Sequence, residues 1–180
     1  MRLFVALPLP YAIKEYLLTL QKAVGNADAK INWVAKKNLH LTLKFFGTIP
    51  EHKLDTLRAA LRTIRFPPIK THLTSFGVFP HTHDPHVLWV GLTPEEPLSA
   101  LQSLIDQETL SYGKQEQSFT THITLGRIKT IKHLPPFLNT INAIRVEPRP
   151  LSFTSFLLYQ STLRTTGPQY TLLEDYTLQP

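Results

Sequence analysis

A chain of 180 residues, 42% hydrophobic and 18% charged, is sized and composed for one folded unit, and it lacks the long polar tracts of a disordered segment. The absence of cysteine excludes disulfides, thiolate nucleophiles and Cys-based zinc sites together, and fits a cytoplasmic protein. A net charge of +6, scattered along the chain instead of gathered in a tail, favours polyanionic partners such as nucleic acid or phosphorylated small molecules.

Residues 2–8 read as a first strand and not as a leader, because the apolar run stops at prolines and continues into an amphipathic stretch. No run approaches the roughly 20 apolar residues that span a bilayer, so no membrane partner is expected. The spacing predicts a helix over Tyr11 to Val24, a strand over 39–46, and a second helix from Glu51 to Ile64 that ends at Pro67 and Pro68. Strands follow near Thr71 to Val78 and Val87 to Leu92, then a helix around Pro97 to Leu110. The remaining strands are expected over 120–129, "AIRVEP", "LSFTSFLLYQS" and Tyr170 to Leu178. Helices and strands interleave, but hairpin-length gaps point to antiparallel pairing, so the fold class is α+β in a single domain, 1–180.

Two stretches carry chemistry. In "HLTLKFFG" an alternating strand puts Leu39, Leu41, Leu43 and Phe45 on one face and His40, Thr42 and Lys44 on the other. In "TTHITLGRIK" the pattern returns, with His122 and Thr124 on one face and Ile123 and Leu125 on the other. The two His-x-Thr-Leu copies lie about half a chain apart, as a duplicated unit with one motif per half requires. Facing each other across a cleft, two imidazoles can divide labour, one taking a proton from water and the other giving one to a departing oxygen. Each threonine can donate to a non-bridging phosphate oxygen, which makes a phosphodiester the natural target. Arg127 adds a forked donor, provided that a bulge, for which Gly126 is a reasonable cause, turns it onto the His122 face.

These residues resemble the 2H phosphoesterase superfamily, and within it the LigT-like RNA 2′,3′-cyclic phosphodiesterases first described as 2′-5′ RNA ligases. The resemblance runs nearly end to end, through "RLFVALPLP", "SFGVFP", "VLWVGL" and "FTSFLLYQSTLRTTGPQYTLLEDYTL". One departure is Thr121, where members commonly carry proline. The resemblance implies a two-lobed, pseudo-twofold α+β fold with antiparallel sheets lining a central cleft and helices outside. It implies no nucleotide cofactor and no obligatory metal. It also implies that His40 protonates the departing 3′ oxygen, His122 activates water, and Thr42, Thr124 and Arg127 hold the phosphate. The expected partners are RNA ends bearing a 2′,3′-cyclic phosphate, with tRNA fragments or related cyclic nucleotides as candidates, and the expected state is a monomer. Slow ATP-independent 2′-5′ joining should accompany hydrolysis, with an RNA hydroxyl in place of water.

Competing readings remain. Another 2H activity, on an ADP-ribose cyclic phosphate or a 2′-5′ linked oligonucleotide, would use the same site. A non-catalytic RNA-binding module would not need two matched His-x-Thr strands. His81, His83, Asp84 and His86 contain metal-ligand types but fall in a Pro-bounded surface loop, and His52, His72 and His133 have no repeated context. Phe45, Phe46, Trp89, Phe153, Phe156 and Tyr159 read as core; Phe119 is a candidate for stacking a base, and Lys36, Lys37 and Lys44 for guiding an RNA backbone.

Overall fold

The computed structural model describes residues 1–25, 28–80, 84–113, 118–165 and 167–180. Strand β1 (Arg2–Pro8) stops at prolines, and Pro10 leads into helix α1 (Tyr11–Val24), whose buried Ile13, Leu17, Leu20 and Val24 form one stripe. A short strand β2 (Ala29–Trp33), which periodicity over so few residues does not reveal, precedes a 3-10 turn over Lys36–Asn38 and the first motif strand β3 (His40–Thr48). Helix α2 (Leu54–Arg62) follows its own 3-10 turn, then come β4 (Ile69–Phe79) and β5 (Val87–Thr93). Helix α3 (Glu96–Glu108) leads to the second motif strand β6 (His122–Ile131).

The C-terminal third departs from expectation in two places. Helix α4 (Leu134–Ala143) occupies a stretch for which no element is expected, because Pro135 and Pro136 sit in its first turn, where a missing N–H costs no helical bond. "AIRVEP" is not a strand; it runs from the end of α4 as a connection, with Ile144 and Val146 packed on the core. The single strand expected over "LSFTSFLLYQS" is two, β7 (Pro150–Phe153) and β8 (Ser155–Arg164), which part at Thr154 and pair with different neighbours. Strand β9 (Gly167–Thr177) completes the chain as the hairpin partner of β8.

The described residues form one nine-stranded antiparallel sheet in the order β7-β4-β5-β6-β3-β1-β8-β9, with β2 added to β6. Its centre explains the duplication. β3 and β6 meet antiparallel through Leu41 and Ile123, the middle residues of the two His-x-Thr motifs, so a local twofold passes between the copies. Outward from that axis, β1 flanks β3 as β5 flanks β6, and β8 lies beyond β1 as β4 lies beyond β5. Each half therefore borrows a strand that follows the other half's motif in the chain. The helices lie outside, on the face that holds the main core around Leu7, Leu17, Leu43, Leu101, Ile105 and Leu125. A smaller cluster joins Ile31, Leu88, Ile128 and Phe137 beneath the second half.

Candidate active site

Both motif strands break their alternation at the same step. Opposite Val5 and Ala6 of β1 stand Lys44 and Thr42, leaving Leu43 as an extra residue; opposite Leu88 and Trp89 of β5 stand Gly126 and Thr124, leaving Leu125 extra. Each bulge thus lies three residues after its histidine and reverses the phase of the side chains beyond it. The consequence for Arg127 matches the expectation: it emerges exposed on the same side as His122. Glycine at 126 has a steric cause, since a Cβ there would lie 2.4 Å from Ile31 Cγ2 of β2.

The matching bulge in β3 overturns two expectations. Phe45, assigned to the core, is 63% exposed on the outer face, and Phe46 takes the buried place. Lys44, assigned to the polar face and to RNA guidance, is 2% exposed and faces α3, where its ammonium lies 2.7 Å from Asp106. Gln102 donates to the same carboxylate at 2.9 Å. Across the twofold, α1 performs the equivalent task with a neutral group: buried Gln21 donates from Nε2 to the carbonyls of Leu125 (2.9 Å) and Val34 (3.0 Å).

In front of this frame the two imidazoles are held alike. His40 Nδ1 lies 2.7 Å from the Asn38 carbonyl, and His122 Nδ1 lies 2.8 Å from the Thr120 carbonyl. A carbonyl only accepts, so in each ring Nδ1 carries the donated proton and Nε2 is left for chemistry. His40 Nε2 is 2.9 Å from Thr42 Oγ1, whose hydroxyl donates to the neutral ring. With Leu41 paired to Ile123, the antiparallel register sets His40 across from Thr124 and Thr42 across from His122. The histidines are then diagonal neighbours on one face, a spacing of about 7–8 Å in regular sheet. Their coupling is electrostatic as well: burial first, then the charges of Lys14 and His122, push the His40 pKa down to about 4, against a raising contribution from the Asn38 carbonyl.

The walls differ. Phe4, only 1% exposed, packs on His40 (ring centroids 5.1 Å apart) and on Tyr159 and Tyr170; Tyr170 also meets His40 edge-on at 5.5 Å. Burial raises the pKa of both tyrosines, and for Tyr170 the cations Arg127 and Arg2 oppose the shift, which places Arg127 within electrostatic reach of the His40 side. Around His122 stand Phe79, edge-on at 5.1 Å, and Trp89 at 6.1 Å. The Trp89 ring lies flat over Gly77, where a Cβ would sit 2.1 Å from it, so no larger residue fits opposite.

The five residues expected at the site, His40, Thr42, His122, Thr124 and Arg127, are therefore on one face at the centre of the sheet. Trp89 and Tyr159 flank the histidines instead of filling the core, while Phe119 is half-buried against the main core. Lys36 is engaged by Glu15 and by the Tyr11 ring, leaving Lys37 and the unanticipated Lys14 near His40. Phe4, Asn38, Phe79, Gln169 and Tyr170 also have no signal in the sequence, since only the folded sheet sets them beside the motifs. Thr121, the departure from the family pattern, is buried with its hydroxyl directed at the Leu92 carbonyl, 3.4 Å away. His81 and His83 lie outside the described residues; Asp84 and His86 are exposed, 3.5 Å apart. The described residues contain no group of three or more His, Cys, Asp or Glu placed to hold a metal ion, and no described helix is long and apolar enough to cross a membrane.

The LigT-like phosphoesterase family model matches residues 7–89 and 90–170, one copy on each half. The chain belongs to this family. It is 32% identical to an RNA 2′,3′-cyclic phosphodiesterase of Methanothermobacter thermautotrophicus over 98% of both chains. Its fold matches E. coli LigT in apo form with a TM-score of 0.81 at 27% identity, covering 99% of this chain and 98% of that one. E. coli LigT complexed with 3′-AMP gives a TM-score of 0.79 at 26% identity, with the same coverage. The two-lobed α+β fold is that of this family, and the chain shares its class of activity, hydrolysis of phosphodiesters.

Proposed function

We propose that the protein opens 2′,3′-cyclic phosphate ends of RNA by water, leaving a 2′-phosphomonoester and a free 3′-hydroxyl. The observation that carries this reading is the pair of symmetry-related imidazoles, each with Nδ1–H committed to a backbone carbonyl and Nε2 left for proton transfer. The names of the relatives and the nucleotide complex of E. coli LigT supply the substrate class.

In the reaction, the water oxygen bonds to phosphorus as the P–O3′ bond breaks in line. His122 Nε2 takes the water's proton, and His40 Nε2 delivers a proton to O3′. Thr42, Thr124 and the Arg127 guanidinium donate to the non-bridging oxygens, where negative charge grows. Held at a pKa of about 4 by its protein surroundings, His40 is neutral near neutral pH. Its role as donor therefore depends on the substrate: an anionic phosphate between the rings favours the imidazolium and loads the acid as it binds. An RNA hydroxyl in the place of water gives a 2′-5′ linkage without ATP, the slow companion activity.

Incubating the protein with a short oligoribonucleotide ending in a 2′,3′-cyclic phosphate, with and without EDTA, tests the reading. The expected product in both arms is the 2′-phosphate. A 3′-phosphate product, or activity abolished by EDTA and restored by a divalent ion, would overturn the proposed metal-independent mechanism.

A further inference from the structure

A cavity of about 280 Å³ adjoins His40, and no residue of β4, β5 or β6 lines it. Its walls are basic and amide-bearing: Lys14 from α1, Lys37 and Asn38 from the 3-10 turn, and Gln169 from β9, with Tyr159 and Tyr170 opposite. Asn38 Nδ2 donates to the Pro168 carbonyl at 2.9 Å, tying the start of β9 to the 3-10 turn. Among the described residues no carboxylate lines the space. Among the described residues neither Lys14 nor Lys37 forms an ion pair, the nearby Glu15 being taken by Lys36.

Lys14 is the telling group. It is half-buried, its pKa is lowered by that burial and by the neighbouring Lys36 charge, and its own charge presses on His40. A cation so placed, with cations around it and no counter-ion, is relieved by an anion in the cavity. Position says which anion. In the proposed reaction O3′ departs toward His40, so the ribose and whatever its 5′ carbon carries extend on the His40 side.

We infer that this cavity is a second anion subsite, in which Lys14 and Lys37 take the phosphate attached to the 5′ oxygen of the terminal nucleotide. The inference rests on the proposed phosphodiesterase reading and deepens it: the preferred substrate carries a 5′ phosphate group in addition to its cyclic one.

The test compares kcat/KM for adenosine 2′,3′-cyclic phosphate with a 5′-hydroxyl, for the same nucleotide with a 5′-phosphate, and for a trinucleotide ending in it. Wild type should favour a 5′-phosphate-bearing substrate over the 5′-hydroxyl form by about tenfold or more, the size of one charge-assisted hydrogen bond. Lys14→Met and Lys37→Met, which keep the aliphatic stem, should each lower that ratio several-fold, and Lys14→Arg should preserve it. A preference shared by the 5′-monophosphate and the trinucleotide supports recognition of the phosphate group itself; one confined to the trinucleotide supports recognition of a diester in a chain. An equal rate on all three substrates, or a ratio unmoved by both methionine variants, overturns the subsite while leaving the phosphodiesterase intact. No turnover of any of the three removes the phosphodiesterase reading instead.

Discussion

Around His40 and around His122 the chain builds the same frame: a motif strand, a Nδ1–H held by the carbonyl two residues earlier, a bulge three residues later, and a helix pinning that bulge from behind. The contents of the frame differ. The His40 half has two tyrosines, a buried phenylalanine and a basic cavity; the His122 half has a tryptophan lying over glycine and an exposed arginine. Even the equivalent position after each bulge differs, Phe45 in one half and Arg127 in the other. Duplication supplies two matched imidazoles, and in the proposed reaction the neighbours added to each copy decide which one gives a proton and which one takes it.

The sharpest way to break the symmetry is chemical. His40→Ala and His122→Ala should each lower turnover of a cyclic phosphate end by about 10²–10⁴-fold, the usual scale for a lost general acid or base, and the double variant should lose little more than either single one. A pH profile does not separate the roles, because an acid and a base with exchanged pKa values give the same bell. A leaving group does. On a diester with a para-nitrophenyl leaving group, which departs without a proton, His40→Ala should recover most of its loss and His122→Ala should recover none. The opposite pattern would exchange the two roles.

The pins behind the bulges differ in kind, and so should the cost of removing them. Asp106→Asn leaves the Lys44 ammonium buried without its counter-charge, expected to cost about 3–5 kcal/mol. Gln21→Leu removes a neutral donor shared by two carbonyls, one of which also accepts the Val34 amide, and should cost about 1–3 kcal/mol. Urea denaturation of both variants checks the order. Replacing the ion pair outright, with Lys44→Met and Asp106→Leu together, should restore much of the loss; a double variant as unstable as Asp106→Asn would show that the pair does more than neutralise itself.

The repeated His-x-Thr is legible because a short polar pattern returning on an apolar strand is rare, and its half-chain spacing announces the duplication. The glycine at 126 even hints at the bulge that turns Arg127. The same device in β3 leaves no such mark: Leu43 and Lys44 look like any alternating pair, so alternation puts Lys44 outside and Phe45 inside when each is the reverse. The aromatic walls are illegible for a different reason. Phe79, Tyr159 and Tyr170 lie in ordinary strand runs, and only the crossing of β4 and of the β8–β9 hairpin into the opposite halves brings them to the histidines, where Phe4 of the neighbouring β1 joins them. The split of β7 from β8 has the same origin, since consecutive residues pair with strands on opposite sides of the sheet.

The smallest effect tests the state of His40 before substrate arrives. Its pKa is about 4 in the folded protein against about 6.5 for an unhindered histidine, so between those values the unfolded chain binds a proton that the folded protein refuses. Stability should therefore be fully present above pH 6.5 and fall as the pH drops toward 4, His40 accounting for about 1–2 kcal/mol between pH 7 and 5. His40→Ala should remove that part of the slope, and an NMR titration of the His40 ring should place its midpoint well below that of a free imidazole. Inorganic phosphate should move the midpoint up, because an anion between the rings favours the charged form. A midpoint that phosphate leaves unmoved would mean that substrate does not load the acid, and His40, neutral from the start, would then be the base.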